Sequence, residues 1–223
     1  MMRQALNPVF LRDLYNQKAS TYDLAHGLLT LWSDQRGRRM VVERGVRSGD
    51  RVLDAGGGTG STSLLAAEKV GPEGTVTVLD LSPGMLEEAR EKARRAGLVD
   101  RMQFCLGDIL DLSFEEQFDA VLSTYSLCPI TDPAAGIMEL YRQVRPGGRL
   151  AAAHSVEPEH PLLRRLGSWV ENLAWRFPWL TMGCRPVETL PVLREAGAKL
   201  RFECRLGVPL WPFQAYVVEK PAA

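Results

Sequence analysis

A glycine-rich segment directly after a short apolar run constrains this chain more than any other feature. Residues 51–61 read Arg-Val-Leu-Asp-Ala-Gly-Gly-Gly-Thr-Gly-Ser, and a helical pattern starts where they end. Glycine lets the backbone turn sharply and approach a ligand with no Cβ in the way. The N-terminus of the following helix offers unpaired N–H groups and a positive dipole end to an anionic group. The segment therefore predicts a strand–loop–helix unit that holds a nucleotide-like ligand.

Strand and helix signals alternate around this loop. Predicted strands cover residues 51–54, 75–80, 102–106, 118–123, 149–154, 199–206 and 213–220, and predicted helices cover 9–45, 62–70, 83–96, 133–144 and 186–196. This alternation predicts an α/β fold with a parallel, doubly wound sheet and ligand sites at the carboxyl ends of its strands. The last two strands are close in sequence, so we expect an antiparallel finish.

Size and composition favour one domain that acts on a small molecule. We expect a single domain with an N-terminal helical lid (1–45), a cofactor-binding core (46–155), and a substrate-side insertion with the closing strands (156–223),. The 27 basic and 27 acidic residues balance, which argues against nucleic acid as a partner,. No apolar run reaches the roughly 18–20 residues of a membrane span, and we expect no secretory leader. The four cysteines form no Cys-x-x-Cys pair, so we expect a reduced, cytoplasmic protein without a metal site.

Three loop patterns compete for the glycine segment. A dinucleotide-binding G-x-G-x-x-G loop starting at Gly58 has Ser63 in place of its third glycine,. A P-loop ends in Gly-Lys-Ser/Thr, which the chain lacks,. An acidic-x-G-x-G-x-G pattern is met in full by Asp54, Gly56, Gly58 and Gly60. The remaining alternative is a tight turn without a ligand, which so many matched positions disfavour.

Polar residues also follow the next strands. Asp80 ends the second strand, about twenty residues beyond the loop, where a carboxylate can accept from ribose hydroxyls,. Gly107-Asp108 follow the third strand, with a carboxylate suited to an exocyclic amine, and Ser123-Thr124-Tyr125 end the fourth. Each of these polar residues, taken alone, is also typical of a solvent-exposed loop. Because the carboxyl ends of parallel strands meet at one edge, together they predict one crevice.

Five segments point to a family: Asp54-Ala-Gly-Gly-Gly-Thr-Gly60, Val78-Leu-Asp-Leu-Ser-Pro-Gly-Met-Leu86, Gly107-Asp108, Phe118-Asp-Ala-Val-Leu-Ser123 and Val144-Arg-Pro-Gly-Gly-Arg-Leu150. In them the chain resembles the class I S-adenosylmethionine-dependent methyltransferases, well over residues 10–155 and loosely in the tail. The resemblance implies S-adenosyl-L-methionine as cofactor. It also implies a Rossmann-like, doubly wound, mostly parallel seven-stranded sheet with an antiparallel last strand and an N-terminal helical lid.

The resemblance implies a cofactor site as well. The loop residues that would hold the methionine part are Asp54, Gly56, Gly58, Thr59 and Gly60. Asp80 would bind the ribose, Leu81 and Met85 would flank the adenine, and Gly107, Asp108 and Ile109 would meet the adenine amine. Ser123 and Thr124 would line the floor of the site near the sulfonium. Within the class the chain looks most like the ubiquinone/menaquinone and phospholipid methyltransferases. These share the opening Tyr15-x-x-x-Ala19-x-x-Tyr22-Asp23, whose tyrosines would reach the cofactor. The two tyrosines are seven residues apart and therefore share one face of a helix,. The alternative to a cofactor contact is that the two rings pack within the lid.

Candidates for catalysis and acceptor binding are fewer. His154 ends the fifth strand and could act as a general base at the crevice rim, or instead bond to the following turn. His26 in the lid, Tyr125, and Trp169 are candidate acceptor contacts. Residues 161–180 hold three tryptophans and three arginines around an apolar stripe. The stripe predicts a lid over a lipophilic acceptor with peripheral membrane contact, or a helix packed on the sheet.

The acceptor itself stays open between several classes. A phospholipid amine and a quinone precursor lead, and Leu24-Ala-His-Gly27, standing where the quinone subgroup has a Met-Asn pair, favours the phospholipid amine. Arsenite methyltransferases place cysteines near the positions of Cys128 and Cys184, although buried structural thiols are the simpler interpretation. A cofactor-binding protein without catalysis is the alternative of another class. The oligomeric state stays open.

Overall fold

A computed structural model describes residues 5–24, 27, 32–177 and 181–222. Its centre is a seven-stranded sheet in the order β3-β2-β1-β4-β5-β7-β6. The strands are β1 (Arg51–Ala55), β2 (Thr75–Asp80), β3 (Met102–Leu106), β4 (Phe118–Thr124), β5 (Val144–Ser155), β6 (Lys199–Val208) and β7 (Trp211–Glu219). The described helices are α1 (Pro8–Lys18), α2 (Ser33–Gly45), α3 (Ser61–Val70), α4 (Pro83–Arg95), α5 (Pro133–Gln143), α6 (Pro161–Ala174) and α7 (Leu190–Glu195).

The pairing of the strands confirms the predicted fold class. Strands β1 to β5 pair in parallel, and β7 is antiparallel to both of its neighbours, β5 and β6. The chain runs outward from β1 to β3 on one side and continues from β4 on the other. The strand order therefore reverses between β1 and β4, and a crevice opens at their carboxyl ends.

The helices begin where the sequence supplies caps. Ser82 precedes α4 and accepts from the Met85 N–H at 3.2 Å, and Asp132 precedes α5 and accepts from the Ala135 N–H at 2.9 Å. Proline follows each cap in the first turn, where no intrahelical N–H bond is lost,. The region 9–45 that was predicted to be helical contains α1 and α2, and α1 ends at Lys18, where a short 3₁₀ turn follows it.

Two apolar cores cover the two faces of the sheet. Neighbouring residues of β1 point to opposite sides, so Val52 joins one core and Leu53 the other,. Helices α2, α3 and α4 cover the first face, and α5 and α7 cover the second. Because β1 lies at the centre of the sheet and is buried on both faces, the loop that follows it starts from a rigid position,.

A buried ion pair holds the end of the sheet opposite the crevice. Asp50 directly precedes β1, and its Oδ2 accepts from Arg149 Nη2 at 2.8 Å and from the Arg47 N–H at 2.7 Å. Both side chains of the ion pair are buried. Removing one partner of such a pair leaves an uncompensated charge in the interior, which costs far more than losing an exposed pair.

We expect Asp50→Ala to lower the free energy of unfolding by about 3–5 kcal/mol, because Arg149 stays buried without its carboxylate. Urea denaturation at neutral pH measures the change. The control is Glu91→Ala, which removes the exposed pair of Glu91 with Arg95 and should cost less than about 1 kcal/mol. Equal losses in the two variants would contradict the importance of the buried pair.

Candidate functional site

A cavity lies at the carboxyl ends of β1 to β4. The space within it, counted out into its open mouth, is about 800 Å³. The glycine loop, the ends of β2 and β3, and the segment after β4 line one side. The N-terminal segment lines the other through Leu11, Arg12, Tyr15 and Tyr22. The predicted crevice is therefore present, and the chain's own N-terminal segment lies across it.

The glycine loop needs glycine for two different reasons. Gly56, Gly58 and Gly60 all have positive φ angles, of 68°, 56° and 81°, which side chains other than glycine rarely adopt. A Cβ on Gly56 would lie 2.2 Å from the Ser126 Cβ, so packing excludes it. A Cβ on Gly58 would meet nothing within 4 Å. The backbone at Gly58 is thus open to a ligand in the cavity.

Asp80 connects the glycine loop to the end of β2. Its Oδ2 accepts from the Gly58 N–H at 2.8 Å, and its Oδ1 accepts from the Ser82 N–H at 2.9 Å. Burial raises the pKa of Asp80, and these two N–H groups partly offset that effect. Each carboxylate oxygen can accept a further hydrogen bond. Asp80 lines the cavity, so it can accept from a pair of ligand hydroxyls.

The adjacent part of the cavity is apolar with one carboxylate. Leu81, Met85 and Ile109 line it, together with Asp108. Asp108 Oδ1 accepts from the Leu110 N–H at 2.9 Å, which fixes the turn after β3. This combination of an apolar lining and a carboxylate suits a flat heterocycle that carries an amino group.

A buried arginine, Arg38, lies beneath the glycine loop, and it was not among the site residues predicted from the sequence. Arg38 Nη1 donates to Thr62 Oγ1 at 2.8 Å and to Thr124 Oγ1 at 2.9 Å, and its Nε lies 3.6 Å from Asp34 Oδ2. The Arg38 guanidinium also lies 5.1 Å from the centre of the Tyr125 ring. Arg38 lines the cavity and places a positive charge there. Its only sequence signal is the Asp34-x-x-x-Arg38 spacing, which exposed helices also show.

Asp23 ties the N-terminal segment to the glycine loop. Its Oδ1 accepts from Thr59 Oγ1 at 2.7 Å and from Ser61 Oγ at 3.3 Å, and it forms an ion pair with Lys92 of α4. Burial alone would raise the pKa of Asp23, but the hydrogen bonds from Lys92 and Thr59 outweigh it and hold the pKa low. The segment around Asp23 is therefore attached to the loop by a charged group.

A second contact fixes α1, and it aligns the two tyrosines. Asn16 Oδ1 accepts from Ser82 Oγ at 2.6 Å and from the Gly84 N–H at 2.8 Å. Tyr15 and Tyr22 then lie with their ring centres 5.9 Å apart, both against the cavity. Burial raises the pKa of both tyrosines well above the usual value, so both remain protonated at neutral pH.

Most of the predicted site residues line the cavity. These are Tyr15, Tyr22, Gly56, Gly58, Thr59, Asp80, Leu81, Met85, Gly107, Asp108, Ile109, Thr124 and Tyr125. Three others lie behind it. Gly60 begins α3, Ser123 Oγ bonds to Ser126 Oγ at 2.7 Å, and Asp54 Oδ2 accepts from Ser63 Oγ at 2.5 Å. The positions behind the cavity support the loop rather than forming its surface.

The structure corrects the predicted position of His154. Its side chain is 1% exposed, with Nε2 3.3 Å from Thr189 Oγ1 and the ring edge-on to Tyr216. It is buried on the α7 side of the sheet, where its ring contacts Thr189 and Tyr216 rather than the following turn, and the described residues that line the cavity do not include it. Burial lowers the pKa of His154 to about 4. The histidine is therefore a neutral group in the interior, and we do not assign it a catalytic role.

One predicted acceptor contact, Trp169, is not among the described residues that line the cavity. Trp169 lies on α6, where its side chain is 65% exposed, and the residues that line the cavity do not include it. The predicted contact of Trp169 with the acceptor therefore stays a prediction. His26 lies outside the described residues. Tyr125 does line the cavity, with its hydroxyl donating to the Asp34 carbonyl at 3.3 Å.

Burial of Asp54 predicts a pH dependence of stability. Burial raises the pKa of Asp54 to about 6, although the hydrogen bond from Ser63 opposes the shift. The unfolded chain titrates near 3.9, so between about pH 4 and pH 6 the folded state binds more protons and its stability falls as pH rises. We expect Asp54→Asn to remove a penalty of about 2–3 kcal/mol at pH 7.

Urea denaturation of wild type and Asp54→Asn between pH 4 and pH 8, without ligand, measures this effect. The difference in unfolding free energy should grow in favour of the variant up to about pH 6 and then stay constant. Asp100→Asn, at an exposed position, should follow the wild type. A difference that is independent of pH would contradict the shifted titration.

Comparison with known proteins identifies relatives. A family model described as "Methyltransferase domain" matches residues 46–196. The ubiquinone/menaquinone biosynthesis C-methyltransferase of Proteus mirabilis (strain HI4320) is 30% identical over 202 residues, covering 82% of this chain and 80% of that protein. Its counterpart in Marinomonas sp. (strain MWYL1) is 31% identical over 160 residues, covering 69% of this chain but only 62% of that protein.

Solved structures with a similar fold have lower sequence identity. A SAM dependent methyltransferase from Aquifex aeolicus superposes with a TM-score of 0.61 at 19% identity, covering 96% of this chain and 98% of that chain. Geranyl diphosphate C-methyltransferase from Streptomyces coelicolor A3(2) gives 0.65 at 16% identity, covering 82% and 74%. At this identity the structures establish the fold alone.

Proposed function

Since the chain belongs to the methyltransferase-domain family, we propose that it transfers the methyl group of S-adenosyl-L-methionine to a carbon of a small, lipophilic quinone precursor. Family membership confirms the predicted enzyme class and its methyl donor. The observation that carries the acceptor class is the similarity to the Proteus mirabilis C-methyltransferase over 82% of the chain. It reverses the preference for a phospholipid amine that the N-terminal sequence suggested.

The residues around the cavity fit this cofactor. Asp80 would accept from the ribose hydroxyls, and Asp108 from the adenine amine. Arg38 supplies a positive charge for the carboxylate of the cofactor's amino-acid part. The space beside the Gly58 backbone leaves room for the part of the cofactor that connects the amino acid to the ribose. Tyr15 and Tyr22 offer aromatic faces, which attract a cation. When bound, S-adenosylmethionine supplies a methyl group activated by a sulfonium.

The protein's contribution is positioning and exclusion of water. Aligned reactants held in one site can lower a barrier by roughly 7–11 kcal/mol. Burial raises the pKa of Tyr125 as well as those of Tyr15 and Tyr22, so all three would donate hydrogen bonds and not accept protons at neutral pH. Among the described lining residues, none is a histidine or lysine. We therefore expect an acceptor that reaches the site already ionised, as a phenolate or enolate.

One observation favours a second candidate, transfer to trivalent arsenic. Cys128 and Cys184 are 56 positions apart in the sequence, yet both pack in the second core. The nearby Cys184 thiol lowers the pKa of Cys128, and Cys128 raises the pKa of Cys184. A pair of thiols suits a soft, thiophilic acceptor. Neither cysteine is among the described residues that line the cavity, which ranks this candidate second.

A labelled-methyl transfer assay tests the acceptor. We expect label from S-adenosylmethionine in a demethylated menaquinone or ubiquinone precursor, with none in arsenite or phosphatidylethanolamine. Product analysis should show a new carbon–methyl bond. Label in arsenite that Cys128→Ser abolishes would favour the second candidate. If the protein bound the cofactor but transferred label to no acceptor, the result would support a non-catalytic cofactor-binding protein.

The ribose assignment for Asp80 has its own test. We expect Asp80→Ala to weaken binding of S-adenosylhomocysteine by roughly 10- to 150-fold, because hydrogen bonds to a charged group are lost. Isothermal titration calorimetry measures the affinity, and circular dichroism checks the fold, since Asp80 also holds the Gly58 and Ser82 N–H groups. Glu68→Ala, at an exposed position of α3, is the control. Retained affinity in Asp80→Ala would refute the assignment.

A further inference from the structure

Helix α6 presents an apolar stripe to solvent. Leu162, Leu166, Trp169 and Leu173 recur at helical spacing and are 68%, 50%, 65% and 49% exposed. The helix packs through a different face, where Gly167 is buried against the Leu210 backbone. An amphipathic helix of a globular protein normally buries its apolar stripe. A contiguous exposed stripe instead marks an interaction surface.

The turn between β6 and β7 packs beside α6 and exposes two more apolar side chains. Val208 and Trp211 flank the turn and are both exposed. The contact of Gly167 with Leu210 places the turn beside α6. We call these six side chains, Leu162, Leu166, Trp169, Leu173, Val208 and Trp211, the α6 patch.

Two arginines border the α6 patch. Arg165 lies three residues after Leu162, and Arg176 lies three residues after Leu173, so both are next to the stripe,. Both are exposed, and within the described ranges neither forms an ion pair. By contrast, Arg164 pairs with Glu157. The patch therefore joins an apolar face to uncompensated positive charge.

The sheet topology places the α6 patch at the same edge as the cavity. Strand β6 is antiparallel to β7, which is antiparallel to β5, so β6 runs parallel to β5. Its last residue, Val208, therefore lies at the carboxyl edge of the parallel strands. Helix α6 follows the carboxyl end of β5. A surface that contacts the patch would lie on the side where the cavity opens.

We propose that the α6 patch docks on an anionic phospholipid bilayer. The apolar side chains enter the boundary of the acyl chains, and Arg165 and Arg176 bind headgroup phosphates. The stripe has the composition of an interfacial helix, with leucine and tryptophan on one face and arginine beside it. No helix in the part of the chain that the structure describes is long and apolar enough to span a bilayer. Docking depends only on this surface and not on the acceptor.

Vesicle flotation tests the docking. We expect the full chain to float with vesicles of equal parts phosphatidylglycerol and phosphatidylcholine, and much less with phosphatidylcholine alone. Leu166→Asp should weaken binding by about 10- to 100-fold, because one buried leucine is lost. Replacing Arg165 and Arg176 by glutamine should weaken it about fivefold per arginine and flatten its salt dependence. The control is Leu106→Asp, 63% exposed at the end of β3, the opposite edge strand, which should bind as wild type.

Two outcomes would overturn the proposal. One is a flotation result in which Leu166→Asp binds vesicles as well as wild type, or in which Leu106→Asp loses as much binding as Leu166→Asp. The other is a dimer in sedimentation equilibrium without vesicles that Leu166→Asp converts to a monomer, since the patch would then join two copies of the chain. Methyl transfer to a short-chain, water-soluble acceptor should be the same in all these variants. A failure of docking is thereby separated from a failure of the proposed function.

Discussion

The hydrogen bond from the Gly58 N–H to Asp80 is the contact on which the rest of the site depends. It joins the loop after β1 to the end of β2, and therefore sets the distance between the two strand ends that form the floor of the cavity. The positive φ of Gly58 turns the chain directly after this contact,. Asp80 also accepts from the Ser82 N–H, and Ser82 caps α4. One carboxylate thus fixes a loop, a strand end and a helix start.

The features predicted from the sequence are those that local pattern encodes. The glycine loop, the strand ends with Asp80 and Asp108, and the doubly wound sheet each follow from residues close together in the chain. Arg38 and the contacts of Asp23 were missed because their partners lie far away in sequence and because charged side chains are mostly exposed,. His154 was misplaced for a related reason. Strand position fixes the edge of the sheet, but only packing against α7 shows which face a side chain takes.

The two halves of the site differ in how they are built. The side formed by the glycine loop and the strand ends follows the strands in regular order. The side formed by the N-terminal segment and Ile130 depends on contacts between remote segments, such as the hydrogen bonds from the Tyr15 hydroxyl to the Met182 carbonyl and from Arg185 to the Ile130 carbonyl. Such contacts have no short-range signature. A sequence pattern therefore predicts the first side more readily than the second.

Helix α6 shows how one apolar periodicity can have two structural outcomes. Its stripe predicted either packing on the sheet or contact with something outside the protein, because periodicity states only that a face is apolar. The structure separates the two by placing Gly167, and not the leucines, against the neighbouring turn. Glycine removes the side chain that would hold the helix away, so α6 sits close through its small face. The leucines and Trp169 are thereby directed outward at the carboxyl edge of the sheet, the edge at which the cavity lies.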